Sequence, residues 1–205
     1  MWARLESNTI IEILTRPKAL TIGDVKYPRN IFSMWTDAEL ATIGIVPVTI
    51  DNTNFKNQEY YTNTNQSFAY DTETGVATAT YGTATAKAIA DTLYTADDET
   101  DGLGTEGEVA SRGLKYNHKQ IINQQAAGLL QDTDWMIIRA ADGGTAVPSD
   151  ITTKRAAVRT KANAMQVQID GAADVDALAA LYEYTNTGTE ESPVFTRPLG
   201  ELPTV

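Results

Sequence analysis

The sequence contains no cysteine and a single histidine, His118. The first absence excludes a disulfide framework, a thiolate nucleophile and zinc–thiolate sites. The second excludes every multi-histidine metal centre. Basic residues are scarce as well: 16 Lys and Arg stand against 27 Asp and Glu, a net charge of −11. Nucleic-acid binding depends on clustered cations that displace counterions, so this balance argues against a nucleic-acid partner, and equally against an anionic membrane surface. No apolar run approaches the roughly 20 residues that cross a bilayer. The opening residues, MWARLESNTIIEIL, hold Arg4 and Glu6 where a signal peptide would have an apolar core. The expectation is a chain that partners neither nucleic acid nor membrane and is made in a cytoplasm.

What is present is enough apolar material, 42% of 205 residues, to bury the core of one domain or two small ones. The first part reads as antiparallel β. Ser7-Asn8 turns between Ala3–Glu6 and Thr9–Leu14, and Gly23-Asp24 turns between Ala19–Ile22 and Val25–Tyr27. Thr36 and Glu39 fit a capping box opening a short helix that ends at Gly44. Ile45–Ile50 follows as a strand, with Pro47 suggesting a sheet edge. Gln66–Asp71 and Gly75–Tyr81 form a last hairpin. The Ala-rich run 83–96 reads as helix, with Ile89 and Leu93 on one face.

The second part reads as helical. Leu114, His118, Ile122, Ala126 and Leu129 mark one face of a helix over 114–131. Thr133 or Asp134 is placed to cap a short continuation through Trp135, Ile137 and Ile138, stopped by Gly143-Gly144. Ser149 caps a helix whose stripe is Ile151, Val158, Ala162, Met165 and Ile169, and Asp174 caps a last one. The fold class expected is α+β, an N-terminal antiparallel β-rich module followed by a C-terminal antiparallel helical hairpin or bundle. Its divisions are a β-rich module at 1–96, an acidic Gly-rich linker at 97–113, a helical module at 114–184 and an extended tail at 185–205.

Three groups of residues are candidate sites. Asp97, Glu99, Asp101, Gly102 and Glu108 fall at positions 1, 3, 5, 6 and 12 of a twelve-residue calcium loop, although Glu99 is long for its position and Gly104 replaces the usual aliphatic residue. The plainer reading is a solvated loop, so no cofactor is expected and calcium is the one alternative. His118 has no Ser or Cys partner near it in sequence and reads as a hydrogen-bonded residue bordering an apolar stripe, not as a catalytic base. Arg139, Lys154, Arg155, Arg159 and Lys161 gather cations in an acidic chain, either as a docking face or as an ordinary solvated helix face. Trp2, Trp35 and Trp135 read as core anchors, and any of them left exposed would mark an interface.

One block carries a resemblance. Thr133-Asp134-Trp135, Ile138-Arg139, Gly143, Pro148 and the Arg155/Arg159 pair resemble a C-terminal module common in tailed-phage proteins: an apolar helix, a (T/S)DW, a proline, then a helix with arginines four apart. It recurs in tail-fibre assembly proteins and in virion proteins of marine phages. Met1-Trp2-Ala3-Arg4 is similar to the start of such proteins, and so is Trp35–Leu40 running into Gly44–Val48. The resemblance implies no catalytic residues and no enzyme activity. It implies a structural virion component of tail, baseplate or fibre, assembled in the host cytoplasm and packed against other phage virion proteins in several symmetric copies. Trp135, Arg139, Arg155 and Arg159 are its interface candidates. The rival readings are a tail-fibre assembly chaperone absent from the mature particle and a capsid decoration protein.

Overall fold

The structure, a computed structural model, describes all 205 residues. It is α+β and divides into two compact units, Met1–Thr85 and Ala86–Val205.

The first unit holds β1 (Trp2–Glu6), β2 (Thr9–Leu14), β3 (Leu20–Ile22), β4 (Val25–Tyr27), α1 (Ile31–Met34), α2 (Asp37–Ala41), β5 (Ile45–Asp51), β6 (Tyr61–Thr62), β7 (Gln66–Asp71) and β8 (Val76–Tyr81). β9 (Thr85–Ala86) lies where the units divide. The three expected hairpins form, at Ser7-Asn8 with both φ positive, at Gly23 and at Gly75. The capping box also forms, with Glu39 N–H donating to the Thr36 hydroxyl and Thr36 N–H to the Glu39 carboxylate.

The sheet is mixed, in the order β2-β1-β5-β8-β7, because β5 and β8 run parallel. Pro47 therefore sits on the central strand, not on an edge. β5 divides its pairing along its length: Ile45–Pro47 face β1, and Val48–Asp51 face β8. A residue without an N–H is tolerated at that handover, where no ladder runs on both sides. Side chains alternate between two cores. On one face Leu14, Leu20, Ile31, Leu40 and Ile45 are buried beneath α1, α2 and the β3–β4 hairpin, with Trp2 and Trp35 packed at the margin. On the other, the small residues Ala3 and Ala77 join Val46, and edge strands β2 and β7 approach each other across it.

The second unit holds β10 (Thr92–Leu93), α3 (Ala96–Thr100), β11 (Val109–Ser111), α4 (Leu114–Ala141), α5 (Ser149–Gly171), α6 (Val175–Ala180), β12 (Thr185–Asn186) and β13 (Phe195–Thr196). No helix is long and apolar enough to cross a membrane. Residues 83–96 are not the expected helix. Up to Ala96, which opens a different short helix, their backbone is irregular, with two-residue strands at Thr85–Ala86 and Thr92–Leu93 and a bend between them, and it serves the start of α4: Ala88 and Ile89 carbonyls accept from Leu114 and Lys115 N–H, and the Asp91 carboxylate accepts from Gly113 N–H. Those are donors that a helix cannot satisfy internally, and Gly113 has no side chain to do it.

The Asp91 carboxyl is held below the ordinary value of 3.8, first by that Gly113 N–H and then by Arg112. A carboxyl depressed in the folded state contributes stability above the unfolded pKa and loses it as pH falls through the folded value. Asp91→Asn should therefore weaken the acid dependence of the urea midpoint below pH 3.8. An acid limb unchanged by the substitution would show that the α4 start does not depend on this charge.

The stretch 97–113 is ordered too. Thr95 and Asp98 make a second capping box, so α3 occupies the first half of the expected calcium loop. The C-terminal residues are not an extended tail: β12 and β13 form a hairpin, and Leu199 beyond it is fully buried. Leu199 N–H donates to the Leu181 carbonyl, and its own carbonyl accepts from Lys161 Nζ.

Candidate interaction site

α4 is one continuous helix of 28 residues, without the break expected near Thr133. It runs antiparallel to α5, as three cross-links show. Lys119 Nζ pairs with Asp170 at 2.7 Å, Asn123 accepts from Gln166 at 2.8 Å, and Asp134 pairs with Arg155 at 2.7 Å. The α5 stripe is buried as its spacing predicts, at Val158, Ala162, Met165 and Ile169. Its missing member is Arg155, which fills the gap between Ile151 and Val158 and is only 7% exposed. Arg155 is a lock between the helices. One terminal nitrogen donates to the Leu130 carbonyl and the Thr133 hydroxyl, and the other to the Asp134 carboxylate. Thr133, buried opposite, in turn donates to Leu130.

The lower part of the hairpin is covered. Residues 197–202 lie against it, bonding α5 at Lys161 and Gln168 and bordering a groove of about 380 Å³ with Gln125, Gly128 and Leu129 of α4. His118 is buried in this part, with the Tyr182 ring tilted against it at 4.8 Å between centroids. It is therefore a core residue, deeper than the bordering place its spacing suggested.

Above Leu129 on α4 and Lys161 on α5 the two helices continue as an arm. No hydrogen bond or ion pair of residues 131–160 reaches another element. Its connection is set by glycine: Gly143 takes φ +80, and Gly144 N–H closes onto the Arg139 carbonyl so tightly that a Cβ there would stand 2.8 Å from that oxygen. On the side of α4 turned away from α5, Trp135 is 53% and Ile138 63% exposed. The Arg139 guanidinium lies 4.8 Å over the Trp135 ring.

The four expected interface residues thus separate. Trp135 and Arg139 share the outer side of α4, and Arg159 is exposed on α5. Arg155 is withdrawn into the lock and is unavailable to a partner. Trp135 is not a core anchor, unlike Trp2 and Trp35, which pack on the first unit's core.

The four expected metal ligands do not converge. Asp97 and Glu99 lie on α3 and Asp101 is its C-cap. Successive residues of a helix turn by about 100°, so carboxylates two apart splay to opposite sides. Gly102, expected as the glycine of the calcium loop, instead ends α3 at φ +73, with Leu103 N–H bonded to the Asp98 carbonyl and Gly102 N–H to that of Glu99. Glu108 lies beyond, its carbonyl accepting from Tyr94. No three acidic or histidine side chains in the structure are grouped to hold a metal ion.

No protein-family model, curated protein or solved structure matches this chain. The site's meaning rests on its geometry and on the order of its residues.

Proposed function

We propose that this chain is a structural component of a tailed-bacteriophage virion, in the tail, baseplate or fibre, working by protein–protein packing and not by catalysis. One observation supports this above the others: the residues of the block that resembles the phage module all fall on the two-helix arm, and most of them have a part there. Thr133, Asp134 and Arg155 lock the two helices, Gly143 makes the connection, and Trp135 and Ile138 are presented outward. A rigid two-helix arm with an exposed aromatic and a stacked arginine has the composition of an interface centre, where Trp and Arg are enriched.

Quantitative mass spectrometry of purified particles tests this reading. The chain should be present in fixed proportion to the tail proteins, in a multiple set by the symmetry of its site. Abundance in infected cells with absence from the particle would replace this reading with that of an assembly chaperone. A copy number matching the major capsid protein would move it to the head.

A further inference from the structure

Glycine belongs at a helix end, or where another backbone must come close, and neither reason holds for Gly128. It lies midway along α4 and is the one glycine set inside a helix away from its end. Its φ is not positive, and a Cβ there would meet nothing within 4 Å. Alanine would fit and would favour the helix by about fivefold, so the chain forgoes helix stability at this place. Three further features meet at the same level. By the register of the Asn123–Gln166 and Asp134–Arg155 contacts, Gly128 stands level with Lys161, the uppermost residue of α5 that is bonded to the segment 197–202. Between the helices, the seam at this height is made of Ala126 and Ala162, which interlock little. Below them Ile122, Met165 and Ile169 pack it, and above them the Arg155 lock closes it. On the outside of α4, Gly128 and Leu129 border the open groove of about 380 Å³ that Glu201 and Leu202 line from the other side.

We propose that Gly128 is a hinge, and that the arm swings on it as one body toward the groove. A bend there loosens the bonds from the N–H groups of residues 128–132 to the carbonyls one turn back. With no side chain on Gly128, water reaches those carbonyls and takes up the lost bonds, which is how a glycine permits a kink. α5 follows at Lys161, where only the contact of two alanines has to slide. The arm above the hinge is about 20 Å long, so a bend of about 20° carries its tip about 7 Å. Trp135 and Ile138 travel with it, because the Arg155 lock holds the two helices together above the hinge. The groove is the space into which the arm leans, and Leu202 is the stop it meets. A contact element that turns at its base meets a partner over a range of angles. This goes beyond the virion reading and does not depend on it.

Residue-resolved amide hydrogen exchange on the full chain tests this. An unhinged helix is best protected at its middle and frays toward its ends. The amides of residues 128–132 should instead exchange faster than those on either side, and Gly128→Ala should slow them by about fivefold or more while leaving the arm above unchanged. The lack of cysteine allows the swing itself to be measured. Nitroxide labels at Asn117→Cys and Asp142→Cys sit at exposed positions, about 38 Å apart along a straight α4. Their distance distribution, read by pulsed electron resonance, should extend to shorter values and should narrow to the long one when Gly128→Ala is added. Amides at 128–132 as slow as their neighbours overturn the proposal. So does exchange of all of residues 131–160 together, which is unfolding of the arm and not a swing, and so does a distance distribution that Gly128→Ala leaves unchanged. None of these results touches particle composition, on which the virion reading is decided.

Discussion

Arg155→Ala should destabilise the second unit by about 3–5 kcal/mol, the scale seen when one partner of a buried charged network is removed. The guanidinium is almost wholly buried, and its terminal nitrogens serve a carbonyl, a hydroxyl and a carboxylate on α4. Truncation leaves the Thr133 hydroxyl without its donor, takes one of its donors from the Leu130 carbonyl and opens a cavity in the seam. Much of this cost belongs to the groups left behind, so it depends on what faces the change. Arg155→Met combined with Thr133→Val replaces the polar seam by an apolar one of similar size and should recover most of the loss. Arg155→Lys should not, because an ammonium lacks the planar fork that reaches three acceptors at once. Asp134 is 54% exposed at its side chain, so Asp134→Asn should cost far less than Arg155→Ala. Urea denaturation of the four variants checks the order. A loss under about 1 kcal/mol for Arg155→Ala would mean that water reaches the seam and that the lock is a surface ion pair.

This lock also shows where sequence reading reached its limit. The stripe Val158, Ala162, Met165 and Ile169 was legible because apolar residues at helical spacing have one economical arrangement. Arg155 stands in the same stripe, four residues after Ile151, but a charge reads as solvent-facing until its acceptors are known, and these lie more than 20 residues away on α4. A signal was present: an arginine interrupting a stripe opposite a helix that carries Thr-Asp at its own core spacing. Thr133 misled for a related reason. It is a good capping residue by type, yet here its hydroxyl turns back to the Leu130 carbonyl and the helix continues through it.

Hairpins were legible wherever the turn residues impose a positive φ, as at Asn8, Gly23 and Gly75. The run 83–96 was not, because its conformation is dictated by donors at the start of α4 and not by its own alanines. In 97–108, carboxylate spacing suggested calcium, while Thr95 and Asp98, three apart, carried the helix signal that prevails in the structure. The parallel pairing of β5 with β8 has no local mark at all. It depends on which strands the chain returns to, and only Pro47, at the point where β5 changes partners, hints at an irregular ladder.

Gly44→Ala should cost the first unit about 3 kcal/mol, more than any other glycine-to-alanine change in it. Two penalties combine. Gly44 takes φ +75, where an L side chain costs about 1 kcal/mol or more. A Cβ would also stand 2.7 Å from the Leu5 carbonyl oxygen, a backbone atom with no rotamer to move away. Overpacking of that kind adds about 1–3 kcal/mol. The same glycine's carbonyl accepts from Leu5 N–H at 2.7 Å, and β1 has its bulge between Arg4 and Leu5, so relief at Gly44 requires β1 to shift. Ala3 and Trp2, just before the bulge, belong to the two opposite cores, so such a shift disturbs both. Gly23→Ala separates the penalties: its φ is +57, but nothing lies within 4 Å of its Cβ position. It should cost about 1 kcal/mol, the conformational part alone. Urea titrations followed by tryptophan fluorescence, to which the half-buried Trp2 and Trp35 contribute, compare the two. Equal losses would show that β1 yields freely at its bulge and that the approach of Gly44 to Leu5 does not hold the strand in register.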